Sequence, residues 1–158
     1  LSILDRGFIY GYPLLRGSQE LDYDWFHSGT GIKRVTSVTD YVDVADVSFI
    51  EFGLVNRLSL IVSLANEVCS GIYGYGKGKV GGLVVASALM KYPRYFTSAV
   101  LQDAIFDLPS YLFSNYSERN IDLFGDVKDK QVYEFCKTYS PYQMEIPRTL
   151  KNVLVTST

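Results

Sequence analysis

The spacing of apolar residues along the chain predicts strands that alternate with helices. Four short runs are rich in β-branched and aromatic residues, as expected of strands buried within a sheet. These runs are residues 7–15, 72–75, 98–102 and 153–157. Strands separated by helical segments favour a mostly parallel, doubly wound α/β sheet. In such a sheet the chemistry is expected in the turns that follow the carboxyl ends of the strands.

The helical segments differ in how clearly their ends are marked. From Ser37 to about Ala65, apolar residues recur every three or four positions, with Ser37 as the expected cap and Asp40 at the capping-box position. A shorter helix is predicted at 130–138, whereas 103–127, which contains proline, asparagine and glycine, is expected to be irregular. Residues 16–31 are expected to form a polar loop or a short helix.

A helix that is apolar nearly all round is predicted from Gly81 to Lys91. A helix without a polar face is covered on most sides, so residues 82–90 should be almost wholly buried. The glycine-dense turn GYGKGKVGG, residues 74–82, joins this helix to the predicted strand before it. A strand, a tight turn and a helix in this order make the turn the main candidate for a functional site.

Three interpretations of the glycine-dense turn compete. Gly76, Gly78 and Gly81 match the G-x-G-x-x-G fingerprint of dinucleotide-binding proteins, and Asp103 ends the next predicted strand. A nucleophile elbow, G-x-S-x-G, would instead place a serine on a strained turn, but no serine is present here. In the third interpretation the glycines only let helix and strand pack closely.

Composition narrows the class of protein. The chain has 158 residues, of which 47% are hydrophobic, enough for one globular domain with a core. A net charge of -2 without a basic stripe argues against a nucleic-acid partner. Cys69, Cys136 and a single histidine do not make a zinc site, so no metal and no cofactor are predicted. Polar residues interrupt the longest apolar stretch, 54–68, so no membrane span is predicted. Two cysteines without a recognisable pairing pattern are usual in intracellular α/β proteins, so a cytoplasmic location is expected.

Several motifs follow the order and spacing of one known protein family. LLRGSQELDYDWFHSG (14–29) is similar to that family's RGGGELG-x-x-W-x-x-x-G, and TSVTDYV (36–42) to a helix starting D-[FY]-[IV]. KTYSPYQ (137–143) is similar to S-Y-S-P-Y-D-N-V, and NVLVT (152–156) to N-[LI]-L-V-T. Over nearly its whole length the chain resembles the prolyl oligopeptidase family of serine peptidases, especially the oligopeptidase B branch. The resemblance implies an α/β-hydrolase fold and hydrolysis of short peptides by a Ser-Asp-His triad.

The same resemblance implies that the nucleophile is not retained. Aligned on its closing glycines, the family's elbow puts Lys79 at the nucleophile position and the backbone N–H of Val80 at the oxyanion position. A one-residue slip makes Gly76 the first glycine and puts Gly78 at the nucleophile position. Neither register supplies a serine, and the family's Asp and His would follow the last predicted strand. No catalytically competent residue is therefore predicted.

Other polar residues have simpler explanations. His27 lies in the W-x-x-x-G loop and is expected to be a surface or hydrogen-bonding residue. Asp40, Asp43 and Asp46 recur every three residues, which predicts a solvated helix face and not a metal site. Asp122 stands where the oligopeptidase B branch carries acidic residues that prefer basic substrate side chains, so the resemblance implies a substrate-binding role.

The sequence thus predicts the central part of a prolyl-oligopeptidase-like hydrolase domain over residues 1–158, truncated at both ends. Catalytic inactivity is expected, with a peptide-like ligand or a protein as partner. The remainder of the hydrolase domain, in the same chain or another, is a further expected partner, and nucleic acid and membrane are not. The alternatives are a piece of an active serine peptidase and a dinucleotide-binding protein that uses the three glycines.

Overall fold

The computed structural model describes residue 5 and residues 10–51, 73–149 and 152–157, without the side chains of 48–51. Six α-helices and three strands occur in this part of the chain. The helices are α1 (Tyr23–His27), α2 (Val35–Glu51), α3 (Gly78–Lys91), α4 (Leu108–Ser114), α5 (Glu118–Phe124) and α6 (Lys130–Lys137). The strands are β1 (Tyr73–Lys77), β2 (Ser98–Gln102) and β3 (Asn152–Thr156). Short 3-10 turns lie at Gly31–Lys33, Pro93–Tyr95 and Pro141–Gln143.

The three strands form a parallel sheet in the order β1-β2-β3. Tyr75 of β1 lies opposite Val100 of β2, and Val100 lies opposite Leu154 of β3. The predicted parallel α/β architecture is confirmed. Because all three strands run in one direction, their carboxyl ends meet at a single edge.

The first predicted strand is only partly testable. Its residues 7–9 lie outside the described part, and residues 10–15 form no strand, so that portion of the prediction was wrong. Pro13 offers no N–H to a ladder, and the side chains of Tyr10 and Tyr12 are exposed. Within the described sheet β1 pairs only with β2, and β2 is the middle strand.

Helix α3 covers one face of the sheet and supplies much of the core. Residues 82–89 are all buried, which confirms the prediction for this part of the helix. Met90, the last residue of the predicted buried range, is partly exposed. The helix begins at Gly78, three residues earlier than predicted. Its sheet-facing side packs with Ala99 and Leu101, while Leu83 joins a second cluster with α4 and α6. In the described residues the other face of the sheet is open, and Tyr73, Tyr75 and Leu154 are about half exposed there.

Two local predictions were wrong. Helix α2 begins at Val35, so Ser37 and Asp40 lie inside it and not at its cap. Ser37 Oγ donates to the carbonyl of Arg16, and Asp40 accepts hydrogen bonds from Arg16. The continuation of this helix toward Ala65 lies outside the described residues.

Residues 103–127, predicted to be irregular, contain α4 and α5. Asp107 and Ser117 cap these helices by accepting hydrogen bonds from the backbone N–H groups of Ser110 and Asn120. Pro109 contributes to the prediction of an irregular segment, but it lies in the first turn of α4, where a missing N–H costs nothing.

Candidate functional site

The turn between β1 and α3 has no intervening loop. Lys77 ends the strand and Gly78 begins the helix. Gly78 has a φ of +76°, in the left-handed region that favours glycine. A Cβ added at Gly78 would meet no atom within 4 Å. The chain therefore turns sharply at a residue that has no side chain, and the space beside that residue is open.

The neighbouring strand also ends on a left-handed residue. Lys77 lies opposite Gln102, so Gly78 and Asp103 follow at matched positions on adjacent strands. Asp103 has a φ of +54°, a conformation that aspartate tolerates better than most residues. Its N–H donates to the carbonyl of Thr156 at 2.9 Å. The turn after β2 is thus held to β3 at the carboxyl edge of the sheet.

Lys79 points away from the turn toward α4. Its Nζ lies 5.1 Å from the centroid of the Tyr111 ring, a cation–π contact, and the residue is exposed. The Lys79 carbonyl accepts a hydrogen bond from the N–H of Ile105 at 3.3 Å, which holds the start of α3 to the segment after β2. Val80, the expected oxyanion donor of the first register, is in the first turn of α3 and partly exposed.

The glycines of the turn have different roles. A Cβ at Gly76 would lie 2.8 Å from the Gly81 carbonyl oxygen, and a Cβ at Gly82 would lie 2.3 Å from Ala104 Cβ. Gly76 and Gly82 are therefore required for close packing of α3 on its neighbours. Gly81 has nothing within 4 Å and an ordinary φ. Of the three fingerprint glycines, only Gly76 has the close-packing role.

A histidine, a serine and a cysteine, residue types that serve in catalysis elsewhere, have structural surroundings in this chain. The His27 ring packs against Tyr23 and Phe26, with centroids 4.0 and 5.1 Å away. Ser87 is fully buried, and its Oγ contacts the carbonyls of Leu83 and Tyr139. The Cys136 thiol is free and buried, and burial raises its pKa. Cys69 lies outside the described residues.

The row of three aspartates on α2 is only partly a solvated face. Asp43 and Asp46 are exposed, as predicted, whereas Asp40 is partly buried and forms a bidentate ion pair with Arg16. Partial burial would raise the pKa of Asp40, but the hydrogen bonds from Arg16 outweigh it and the pKa is lowered. Among the residues with described positions, no group of three His, Cys, Asp or Glu could hold a metal ion.

Asp122 lies on α5 and is exposed. Its predicted role with basic substrate side chains stays a prediction. In the ranges covered by the structure, no helix is both long enough and apolar enough to cross a membrane.

A parallel sheet followed at β1 by a sharp turn into a buried helix is the arrangement of the α/β-hydrolase fold, here as part of a domain. Solved structures agree. A prolyl endopeptidase matches with a TM-score of 0.73 and 18% identity, over 89% of this chain and 19% of that chain. Oligopeptidase B from Leishmania major matches with a TM-score of 0.66 and 17% identity, over 89% of this chain and 18% of that chain.

Curated relatives are peptidases as well. Dipeptidyl aminopeptidase BI from Pseudoxanthomonas mexicana is 26% identical over 142 residues, which are 90% of this chain and 18% of the relative. Uncharacterized peptidase y4qF from Sinorhizobium fredii is 26% identical over 145 residues, 90% of this chain and 17% of the relative. No family model matches the chain. The resemblance to prolyl oligopeptidases and oligopeptidase B is thereby confirmed, for a chain that spans less than a fifth of these relatives.

Proposed function

We propose that this chain is a peptidase-like domain that binds peptides at the carboxyl edge of its sheet without cleaving them. The observation that carries the proposal is Gly78, the residue on the strand-to-helix turn, which has a φ of +76° and no side chain. An elbow presents its nucleophile from such a turn. With glycine there, this position offers no oxygen, sulfur or nitrogen to attack a peptide carbonyl.

The backbone angle supports the register that places Gly78 at the nucleophile position. Lys79, the alternative position, is the second residue of α3, and its ammonium lies against Tyr111. In the Gly78 register the N–H of Lys79, the residue after the nucleophile position, would be the oxyanion donor in place of that of Val80. Catalysis fails in either register, because Gly78 has no side chain and the Lys79 ammonium lies against the Tyr111 ring.

Peptide binding is supported by the relatives and by the open space at the turn. The curated relatives are named as peptidases, and prolyl oligopeptidase B from Galerina marginata has been solved with 35-residue and 25-residue substrates bound. We expect a peptide to pass over the turn at Gly78 and Gly81, where an added Cβ meets nothing. Asp122 would then favour a basic side chain, as the oligopeptidase B resemblance implies.

Activity and binding are tested separately. A fluorophosphonate probe should label no serine, and an arginine peptide ester should not be hydrolysed. Gly78→Ser has room for its side chain but should also stay inactive, because a serine needs a base and an orienting acid. Covalent labelling of the unaltered chain with ester turnover would contradict the proposal and favour the alternative of an active serine peptidase.

Binding is measured by the fluorescence anisotropy of labelled arginine-containing peptides of about ten residues. Gly81→Tyr should block the edge and weaken binding, because its side chain would occupy the open space beside the turn. Gly11→Tyr is the matched control, since Gly11 also has nothing within 4 Å of an added Cβ. No binding by the unaltered chain, or equal binding by both variants, would refute the proposed peptide site.

A further inference from the structure

A cleft lies between α2 and the turn at Pro93–Tyr95. It has a volume of about 130 Å³ and is lined by Thr39, Val42, Asp43, Tyr92 and Tyr95. Tyr92 directly follows α3, whereas Gly78 begins it, and a helix of 14 residues is about 21 Å long. The cleft is therefore remote from the turn at Gly78, and a ligand bound in it would be independent of the proposed peptide site.

The polar groups that line the cleft on the α2 side are hydrogen-bond acceptors. Asp43 is exposed, and no hydrogen bond or ion pair joins its carboxylate to another described side chain. Thr39 Oγ1 donates its only proton to the carbonyl of Thr36 at 2.9 Å, which leaves the oxygen lone pairs to accept. A ligand matched to this side must supply donors.

The charge of the helix face favours a cation. The Asp40 carboxylate, one turn before Asp43, is neutralised by the ion pair with Arg16. Asp43 and the exposed Asp46 have no such ion pair with a described residue, so this face of the helix carries acidic side chains without a basic partner in direct contact. The Arg16 guanidinium also attracts the Asp43 carboxylate, but no ion pair joins the two, so a cation in the cleft would lie beside Asp43 without breaking a direct contact.

The opposite side of the cleft is aromatic. Tyr92 and Tyr95 are both partly buried, and Val42 forms an apolar floor with 6% exposure. The guanidinium carbon of Arg94 lies 4.7 Å from the centroid of the Tyr95 ring, and its Nη2 donates to the Tyr95 hydroxyl at 2.7 Å. The chain itself thus shows that a guanidinium group stacks on this ring.

We propose that the cleft binds the guanidinium group of an arginine side chain supplied by a peptide or protein. Guanidinium is planar, weakly hydrated and rich in donors, so one group can meet a carboxylate and stack on an aromatic face. A volume of about 130 Å³ accommodates the head of one side chain and not a folded segment.

The test uses N-acetyl-arginine methylamide as the probe and N-acetyl-citrulline methylamide as its neutral isostere. The ring signals of Tyr92 and Tyr95 in NMR spectra of the 158-residue chain should shift with the arginine compound and not with citrulline. Asp43→Asn should weaken binding by about tenfold, the loss expected for one charged hydrogen bond. Asp46→Asn is the matched control, because it removes an exposed carboxylate one turn further along the same helix without touching the cleft.

Tyr92→Leu should weaken binding by about threefold while the fold is retained, since a cation–π contact at an exposed site is weak. Circular dichroism checks that each variant keeps its helix content. Equal shifts with citrulline, equal weakening by Asp46→Asn, or no shift with about 10 mM probe would each overturn the proposal.

Discussion

The most unusual single residue is Arg34, which is only 4% exposed and has no carboxylate partner in the described ranges. Its Nη1 donates to the carbonyls of Gly17 and Gly29 at 3.1 and 2.9 Å, while its buried Nε has no partner. Burial lowers the pKa of the guanidinium. Arg34 therefore holds the loop around α1 against the start of α2. Nothing in the sequence pattern predicted this role for Arg34.

Arg34→Met should lower the free energy of unfolding by about 2–4 kcal/mol, because two buried carbonyls lose their donor. Urea unfolding followed by circular dichroism measures the loss. Arg119→Met, at an exposed position on α5, is the matched control and should change stability by less than about 0.5 kcal/mol. Equal losses in both variants would show that the buried contacts of Arg34 contribute nothing.

The Arg16–Asp40 pair makes part of the stability depend on pH. The folded-state pKa of Asp40 is lowered from 3.8. The ion pair therefore contributes fully to the free energy of unfolding above pH 3.8. The contribution is lost as pH falls through the lower, folded-state pKa. The stability difference between the unaltered chain and Asp40→Asn should therefore be largest at neutral pH and shrink in acid. A stability difference between the unaltered chain and Asp40→Asn that grows in acid would contradict the assignment.

Three glycines around the turn predict three different responses to alanine. Gly78→Ala should cost about 1–2 kcal/mol because the left-handed backbone is strained with a Cβ, although there is space for it. Gly82→Ala should cost about 1–3 kcal/mol, since its Cβ would lie 2.3 Å from Ala104 Cβ. Gly81→Ala, open and helical, should stabilise by up to about 1 kcal/mol. In urea unfolding, Gly78→Ala and Gly82→Ala should lower the free energy of unfolding while Gly81→Ala does not, and a stabilising Gly82→Ala would refute the packing role.

At the scale of the element, α3 ties the sheet to both core clusters. Leu83 is 1% exposed and belongs to the cluster with α4 and α6. Leu89 is 2% exposed and belongs to the cluster against the sheet. Leu83→Ala and Leu89→Ala should each cost about 2–5 kcal/mol in a denaturant titration. A loss below about 0.5 kcal/mol in either variant would mean that the helix is not held by its buried face.

At the scale of the whole molecule, the open face and the free edge of the described sheet expose apolar side chains. Leu154 and Val155 of β3 are 58% and 53% exposed, and β3 pairs on one side only in the described sheet. The strand contains no proline and no charged residue, the usual protections of an edge. The isolated chain should therefore self-associate as its concentration rises.

Light scattering over a concentration series tests this expectation. Leu154→Lys should reduce the association, because it places a charge on the free edge. Val100→Lys on the middle strand keeps the edge unchanged and is the control, since Val100 is also exposed on the open face. Association that is unaffected by Leu154→Lys would show that it involves another surface.

The sequence by itself determined the parallel α/β class, the buried helix α3 and the peptidase resemblance. These depend on local periodicity and on motif order, which a single chain displays directly. The sequence also showed that the glycine-dense turn has no serine, because this is a matter of residue identity alone.

Only the tertiary structure decided how those residues are used. The motifs left two registers open at the elbow, and the left-handed φ of Gly78 is the observation that favours one of them. The partnership of Arg16 with Asp40 joins residues 24 positions apart, and the capping motif therefore misassigned Asp40. Contacts over such distances in sequence depend on how α2 packs against the loop before it, which no local pattern encodes.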